Sequence, residues 1–170
     1  YAVELVAAKA GPVMTTSGLT LFAARAFGDL THNDLKAIDT FLVSGGQGTR
    51  ALEHDAATLG FIRRAAPLAR RTASICTGAL LLAAAGVLDG KRAATHWAFA
   101  PKLARDYPAV TVDGDAIFLR EGNIWTSAGV TAGMDLALAL VEDDLGRDMA
   151  LAIARQHVMY LMRPGGQSQF

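Results

Sequence analysis

The stretch Ala73-Ser74-Ile75-Cys76-Thr77-Gly78-Ala79-Leu80-Leu81 decides the fold. A short apolar strand, Thr72 to Ile75, meets strong helix-forming sequence, Ala79 to Ala85, which stops at Gly86. Only Cys76-Thr77-Gly78 lies between them, and a buried strand running directly into a helix is a joint of α/β architecture. A cysteine at such a joint has a particular chemistry, because free amides and the positive end of the helix dipole favour a thiolate. Gly78 is read as the residue that lets the chain turn tightly and leaves room for a ligand. The arrangement is that of a nucleophile elbow, although the G-x-S-x-G pattern of hydrolases is absent. The same Cys76 also reads as a small apolar residue packed in a core.

Outward from this joint the chain alternates strands and helices. Ile38 to Val43 is an apolar run closed by Ser44-Gly45-Gly46-Gln47-Gly48, a strand followed by a glycine-rich turn. Ala56 to Ala69 puts Leu59, Ile62, Ala66 and Ala69 at helical spacing. Before these, Ala2 to Ala8 and Leu19 to Ala23 read as short extended pieces, separated by the polar turn Thr15-Thr16-Ser17-Gly18. After the joint, Ala98 to Tyr107 is helical and ends at Pro108. Val110 to Val112 and Ala116 to Leu119 flank Asp113-Gly114-Asp115 as a hairpin. Ile124 to Ser127 is a strand leading to Gly129, and Thr131 to Leu145 is a long helix. Asp148 is expected to cap a last helix reaching about Leu161. The pattern predicts one α/β domain over residues 1–162, a three-layer sandwich about a mostly parallel sheet. Residues 163–170, Arg163-Pro164-Gly165-Gly166-Gln167-Ser168-Gln169-Phe170, are polar, helix-breaking and linker-like.

Composition narrows the function. The chain has 170 residues, with 16 basic and 16 acidic side chains and one cysteine. A domain of this size buries enough surface to fold without staples, and a lone thiol excludes an internal disulfide and fits a reducing, cytoplasmic compartment. Charge balance argues against this segment gripping nucleic acid by itself, since phosphate contacts need a surplus of Lys and Arg. No apolar run is long enough to span a bilayer, so no membrane partner is expected. His32, His54, His96 and His157 are scattered without ligand spacing, so no metal is expected; no cofactor is expected either.

Two further pieces bear on Cys76. Gly45-Gly46 follows a strand, so its amides either serve as anion or oxyanion donors near the strand ends or simply form a turn. His96, in Thr95-His96-Trp97, is either a base or hydrogen-bond partner for the cysteine or a histidine satisfied in its loop.

Taken in order, Leu42-Val43-Ser44-Gly45-Gly46, Ser74-Ile75-Cys76-Thr77-Gly78-Ala79, Ala85 to Trp97 and Thr126-Ser127-Ala128-Gly129-Val130-Thr131-Ala132-Gly133-Met134-Asp135 resemble the DJ-1/PfpI superfamily, the class I glutamine-amidotransferase-like proteins. The resemblance covers nearly the whole chain and implies a flavodoxin-like fold. Within the superfamily, Val141-Glu142-Asp143-Asp144-Leu145-Gly146-Arg147 and residues 163–170 look most like the N-terminal sensor domain of AraC-family transcriptional regulators. That likeness implies a small-molecule effector, a homodimer, and promoter DNA bound through a C-terminal helix-turn-helix domain not in this chain. The superfamily pattern also opens with a strand and helix ahead of the stretch matching Tyr1, which usually supply an acidic residue to the cysteine; that opening is expected to be missing here.

Three functions follow. In a sensor, Gly45, Gly46, Cys76, Thr77, Gly78 and His96 bind the effector. In an enzyme, Cys76-Thr77-Gly78 resembles the nucleophile motif of isocyanide hydratases, with Cys76 as catalytic nucleophile. In a protein-interaction domain, the cysteine merely packs.

Overall fold

The computed structural model describes residues 1–161 and 165–169. Its centre is a four-stranded sheet whose apolar strands were expected from their runs of Val, Ile, Leu and Phe. β5 (Thr40–Val43), β6 (Arg71–Ile75), β10 (Ile124–Ser127) and β9 (Phe118–Glu121) lie side by side in that order. β5 and β10 both run parallel to β6, and β9 runs antiparallel to β10. Register sorts the side chains into two faces, as the period of two requires. Phe41, Thr72 and Ile124 stand opposite one another on one face, and Leu42, Ala73 and Trp125 on the other.

Helices cover both faces. On the first pack α1 (His32–Lys36), α3 (Ala56–Ala65), α4 (Gly78–Ala84) and α5 (Ala100–Asp106), whose Leu35, Phe61, Ile62, Leu80, Leu82 and Leu103 form the larger core with Phe41, Val43 and Ile124. The second is covered by α6 (Thr131–Leu145), whose Leu136 and Leu140 meet Ala73 and Trp125. The result is the expected α/β three-layer, flavodoxin-like sandwich. α2 (Thr49–Leu52) follows the glycine-rich turn after β5, and α7 (Arg147–Gln156) packs on α6. Smaller pairings flank the sheet: β1 (Val6–Ala7) with β4 (Arg25–Ala26), β2 (Gly11–Met14) with β3 (Thr20–Ala23), and β7 (Arg92–Ala93) with β8 (Thr111–Val112).

Several expectations change. Asp113-Gly114-Asp115 does not close a hairpin. β8 pairs in parallel with β7 and β9 pairs with β10 across the two-residue turn Gly122-Asn123, so the strands flanking Asp113 have different partners. The Asp113 carboxylate instead accepts from the amides of Asp115 and Ala116 and pairs with Arg92. The helix from Ala56 stops at Ala65, ahead of Pro67, rather than at Ala69. Asp148 lies in the first turn of α7 rather than at its cap, where Gly146 stands with φ 85°, and α7 ends at Gln156 rather than near Leu161. The expected boundary between residues 162 and 163 lies outside the described residues.

Candidate functional site

At the C-terminal end of β6 the chain turns from strand to helix at Cys76, which has φ 57°. That is left-handed backbone, uncommon for any residue but glycine and costing on the order of 1–2 kcal/mol. The turn tightness therefore resides in the cysteine itself. The conformation is over-determined by its neighbours. The Cys76 amide donates to the Ser127 carbonyl at the end of β10 (3.0 Å), and the Cys76 carbonyl accepts from the Thr95 hydroxyl (2.8 Å). Two glycines form the wall. A Cβ on Gly45 would lie 2.6 Å from the Ile75 oxygen and 2.8 Å from the Cys76 Cβ. One on Gly129, which has φ +99°, would lie 2.3 Å from the Cys76 Cβ and 2.9 Å from its Sγ. Cys76 is free and half-buried, the position of a thiol in a walled elbow and not of a fully packed core residue.

Gly45, Gly46, Cys76, Thr77 and Gly78 meet at the elbow, with altered roles, while His96 lies in the loop that Thr95 ties to it. Gly78 makes no room for a ligand, because the place of its side chain is filled by the Val43 carbonyl, 2.2 Å from where a Cβ would be. Its smallness seats α4 against the end of β5. The Gly46 amide is not left for an oxyanion, since it donates to the Thr77 hydroxyl (2.9 Å), which in turn donates to the Gly46 carbonyl (3.2 Å). Thr77 is buried, and its side chain ties the elbow to the glycine turn. His96 is half-buried in the adjoining loop, its Nδ1 accepting from the Ala98 amide (3.2 Å), and its ring stands 6.2 Å from Phe99, edge-on. Phe99 carries the Arg50 guanidinium over its face at 5.6 Å. Arg50, Phe99, His96 and the half-exposed Trp97 thus form one cluster, joined to the elbow through Thr95.

Residues not singled out as site members do much of the positioning. Gly129 follows β10 as Gly45 follows β5, a strand-then-glycine pattern that is visible in sequence. Thr95 and Gln167 carry no such signal. Gln167 is buried, and its side-chain amide donates to the carbonyls of Thr95 and Ala116 (both 2.9 Å) and accepts from the Trp97 amide (2.7 Å). Two open surface depressions, one lined by His32, Leu35, Arg63 and Pro67 and one by Arg63, Ala66, Gly86 and Asn123, include none of the elbow residues. The second opens at the starting ends of β6 and β10, opposite Cys76. Among the described residues no cluster of His, Cys, Asp and Glu is arranged to hold a metal, and no helix is long and apolar enough to cross a membrane.

Comparison with known proteins agrees with this architecture. Residues 1–143 match the model of the DJ-1/PfpI family. Isonitrile hydratase of Pseudomonas putida is 41% identical over 145 residues, which is 85% of this chain and 60% of that protein. The HTH-type transcriptional regulator CdhR of Pseudomonas aeruginosa is 32% identical over 164 residues, 96% of this chain and 47% of the regulator. The crystal structure of a ThiJ/PfpI family protein from Pseudomonas syringae superposes with a TM-score of 0.82 at 31% identity, covering 95% of this chain and 64% of that one. The chain therefore spans only part of the length of the curated relatives it matches. Matched by the family model over most of its length and folded as a three-layer sandwich, the chain belongs to the DJ-1/PfpI family.

Proposed function

We propose that the chain is the effector-sensing and dimerisation domain of an AraC-family transcriptional regulator, acting in the cytoplasm. A small molecule enters at Cys76, between Gly45-Gly46 and the His96 loop, with Thr77 and Gly78 holding the elbow in shape beneath it. A helix-turn-helix domain elsewhere in the protein contacts promoter DNA, and effector binding changes how a pair of such domains fits its half-sites. One observation carries the reading. The likeness to CdhR covers 96% of this chain, whereas the family model ends at residue 143, so the likeness runs on into α7 and the residues after it. Neutral charge supports the same division of labour. In a mobility-shift titration the 170-residue chain is expected to leave promoter DNA unshifted, while the protein carrying the helix-turn-helix domain shifts it specifically. Specific retardation by the 170-residue chain alone overturns the assignment.

The β2–β3 ribbon supports the homodimer. Met14, Leu19, Leu21 and Phe22 are exposed on it, Phe22 at 72%. A two-stranded ribbon is marginal without something to pack on, and such a patch marks an interaction surface. Phe22→Glu is expected to shift the chain from dimer to monomer in sedimentation velocity. A wild-type chain that sediments as a monomer at its highest soluble concentration removes the dimer from the proposal.

A second reading is favoured by the 41% identity to isonitrile hydratase and by the strained cysteine. In it the Cys76 thiolate attacks the carbon of an isocyanide, and water then releases the N-formamide and restores the thiol. Under the sensor reading, incubation with an alkyl isocyanide gives no N-formamide above the background of Cys76→Ala. Turnover that Cys76→Ala abolishes replaces the sensor with an enzyme.

A further inference from the structure

We propose that Gln167 is a positioning residue that clamps the segment 165–169 onto the loop beside Cys76, so that occupancy of the elbow and docking of this segment are energetically coupled. The inference rests on the reading of the elbow as a ligand site and adds to it the route by which occupancy leaves that site.

The clamp uses the whole primary amide. Gln167 is 4% exposed, both Nε2 hydrogens go to main-chain carbonyls, Thr95 and Ala116, and Oε1 takes the Trp97 amide. Thr95 is thereby held at both ends. Its carbonyl is gripped by Gln167 while its hydroxyl donates to the Cys76 carbonyl. Trp97 and Thr95 bracket His96, so one glutamine sets the position of the loop that carries the histidine.

The seat is built for this segment. The Gln167 amide donates to the Asp115 carbonyl (2.8 Å) and the Ser168 amide to the Asp115 carboxylate (2.6 Å), a bond that holds that carboxyl below the usual carboxylate range. A Cβ on Gly166 would lie 2.4 Å from the Asp115 carboxylate, and Gly165 has φ +86°. A flexible spacer needs neither property. Here two glycines let the backbone lie down on Asp115 and deliver Gln167 into the loop.

The path from site to segment is therefore contiguous: the Cys76 carbonyl, the Thr95 hydroxyl and carbonyl, then the Gln167 amide. A group on Sγ that displaces Thr95 or Trp97 must stretch or break bonds made by Gln167. Release of Gln167 in turn leaves two carbonyls and an amide without their partner, which destabilises the loop over the elbow. Both sites bias one docked-or-undocked element, which is the physical requirement for coupling.

Hydrogen exchange by mass spectrometry on the 170-residue chain, with the alkylation rate of Cys76 by iodoacetamide, tests the clamp without any effector or DNA. Carbamidomethylation of wild-type Cys76 is expected to raise exchange in 165–169 about tenfold, the equivalent of losing one or two net hydrogen bonds. Gln167→Ala and Gly166→Ala are each expected to raise exchange in 95–97 by a similar factor and to change the alkylation rate of Cys76 several-fold. Gln167→Glu, which retains an acceptor for Trp97 but cannot donate to the carbonyls, is expected to resemble Gln167→Ala. If carbamidomethylation leaves exchange in 165–169 unchanged, or if 95–97 loosens while Cys76 is alkylated at the wild-type rate, the segment is a local buttress and the coupling is overturned. The carbamidomethylated wild-type arm decides the matter even if a variant unfolds. A failed promoter assay, by contrast, removes the regulator reading and leaves these rates untouched.

Discussion

Gly129→Ala is expected to remove about 4 kcal/mol of folding stability, combining a left-handed backbone cost of roughly 1–3 kcal/mol with roughly 1–3 kcal/mol of overpacking. The added methyl would meet the Cα and Cβ of Cys76 at 2.8 and 2.3 Å, and neither atom can swing aside as the end of a flexible side chain can. Cys76 is pinned in turn by its amide bond to Ser127 and its carbonyl bond from Thr95. Something in the elbow must therefore move, and the strained φ at Cys76 is the softest place for it. The expected result is a large fall in the urea midpoint, with Cys76 alkylation altered in the fraction that stays folded. Gly48→Ala is the control, because a Cβ there meets nothing within 4 Å, and it is expected to stay within about 0.5 kcal/mol of wild type. Wild-type stability and wild-type alkylation in Gly129→Ala would mean that the glycine is not a wall of the site.

The second large effect lies at the opposite end of the sheet. Arg71, 2% exposed at the start of β6, donates from Nη1 and Nη2 to the two oxygens of Asp144 (2.8 and 2.5 Å) and from Nε to the Thr40 hydroxyl (2.8 Å). Arg70 and the Tyr1 hydroxyl also reach Asp144. Hydrogen bonding from Arg71 holds the Asp144 carboxyl well below the usual carboxylate range, against the opposing effect of burial. Asp144→Asn leaves the buried guanidinium with only the longer contact from its Nη1 to the Asp143 carboxylate (3.5 Å) as counter-charge and is expected to cost about 3 kcal/mol at neutral pH. The sign of the pH dependence follows from the depressed value. The carboxylate stabilises the fold above its unfolded pKa of about 4, and that contribution is lost as pH falls through the lower folded value. The gap between wild type and Asp144→Asn should therefore be full at pH 7 and narrow steadily below about pH 4. Urea unfolding of both proteins across that range measures it. A gap that stays constant into strong acid would show that Asp144 contributes by shape and not by charge.

Much of the fold was legible because its elements are written locally. Ile124–Ser127 and Thr131–Leu145 are strand and helix over the ranges that their apolar runs and flanking glycines predict. Asp113-Gly114-Asp115 misled because a turn signature reports local bending and not partnership. β8 finds β7 and β9 finds β10, and nothing near Asp113 encodes either pairing. Cys76 was legible from its place between a strand and a helix. The roles around it were not, because they depend on atoms meeting across the chain. Glycine at position 78 signals smallness but not that the Val43 carbonyl occupies the space. A glycine amide at position 46 looks available until the Thr77 hydroxyl is seen to take it. Gln167 reaches Thr95 across 72 positions of sequence, and no spacing rule announces such a bond. Its polar, glycine-rich surroundings read instead as a spacer.

The left-handed backbone at Cys76 reverses the usual map of mutational tolerance around a chemical group. Glycine and asparagine, the residues most at ease with positive φ, fit the position of the thiol without backbone objection. The positions that admit no growth are those with no side chain at all, Gly45, Gly78 and Gly129, each facing backbone or Cys76 atoms closer than 3 Å. Selection for a folded chain would thus guard the glycines even in a lineage that had abandoned the cysteine. A saturation library scored only for folding would outline the elbow by three silent hydrogens and leave its sulfur unmarked; only a screen that demands chemistry or ligand would bring residue 76 into view.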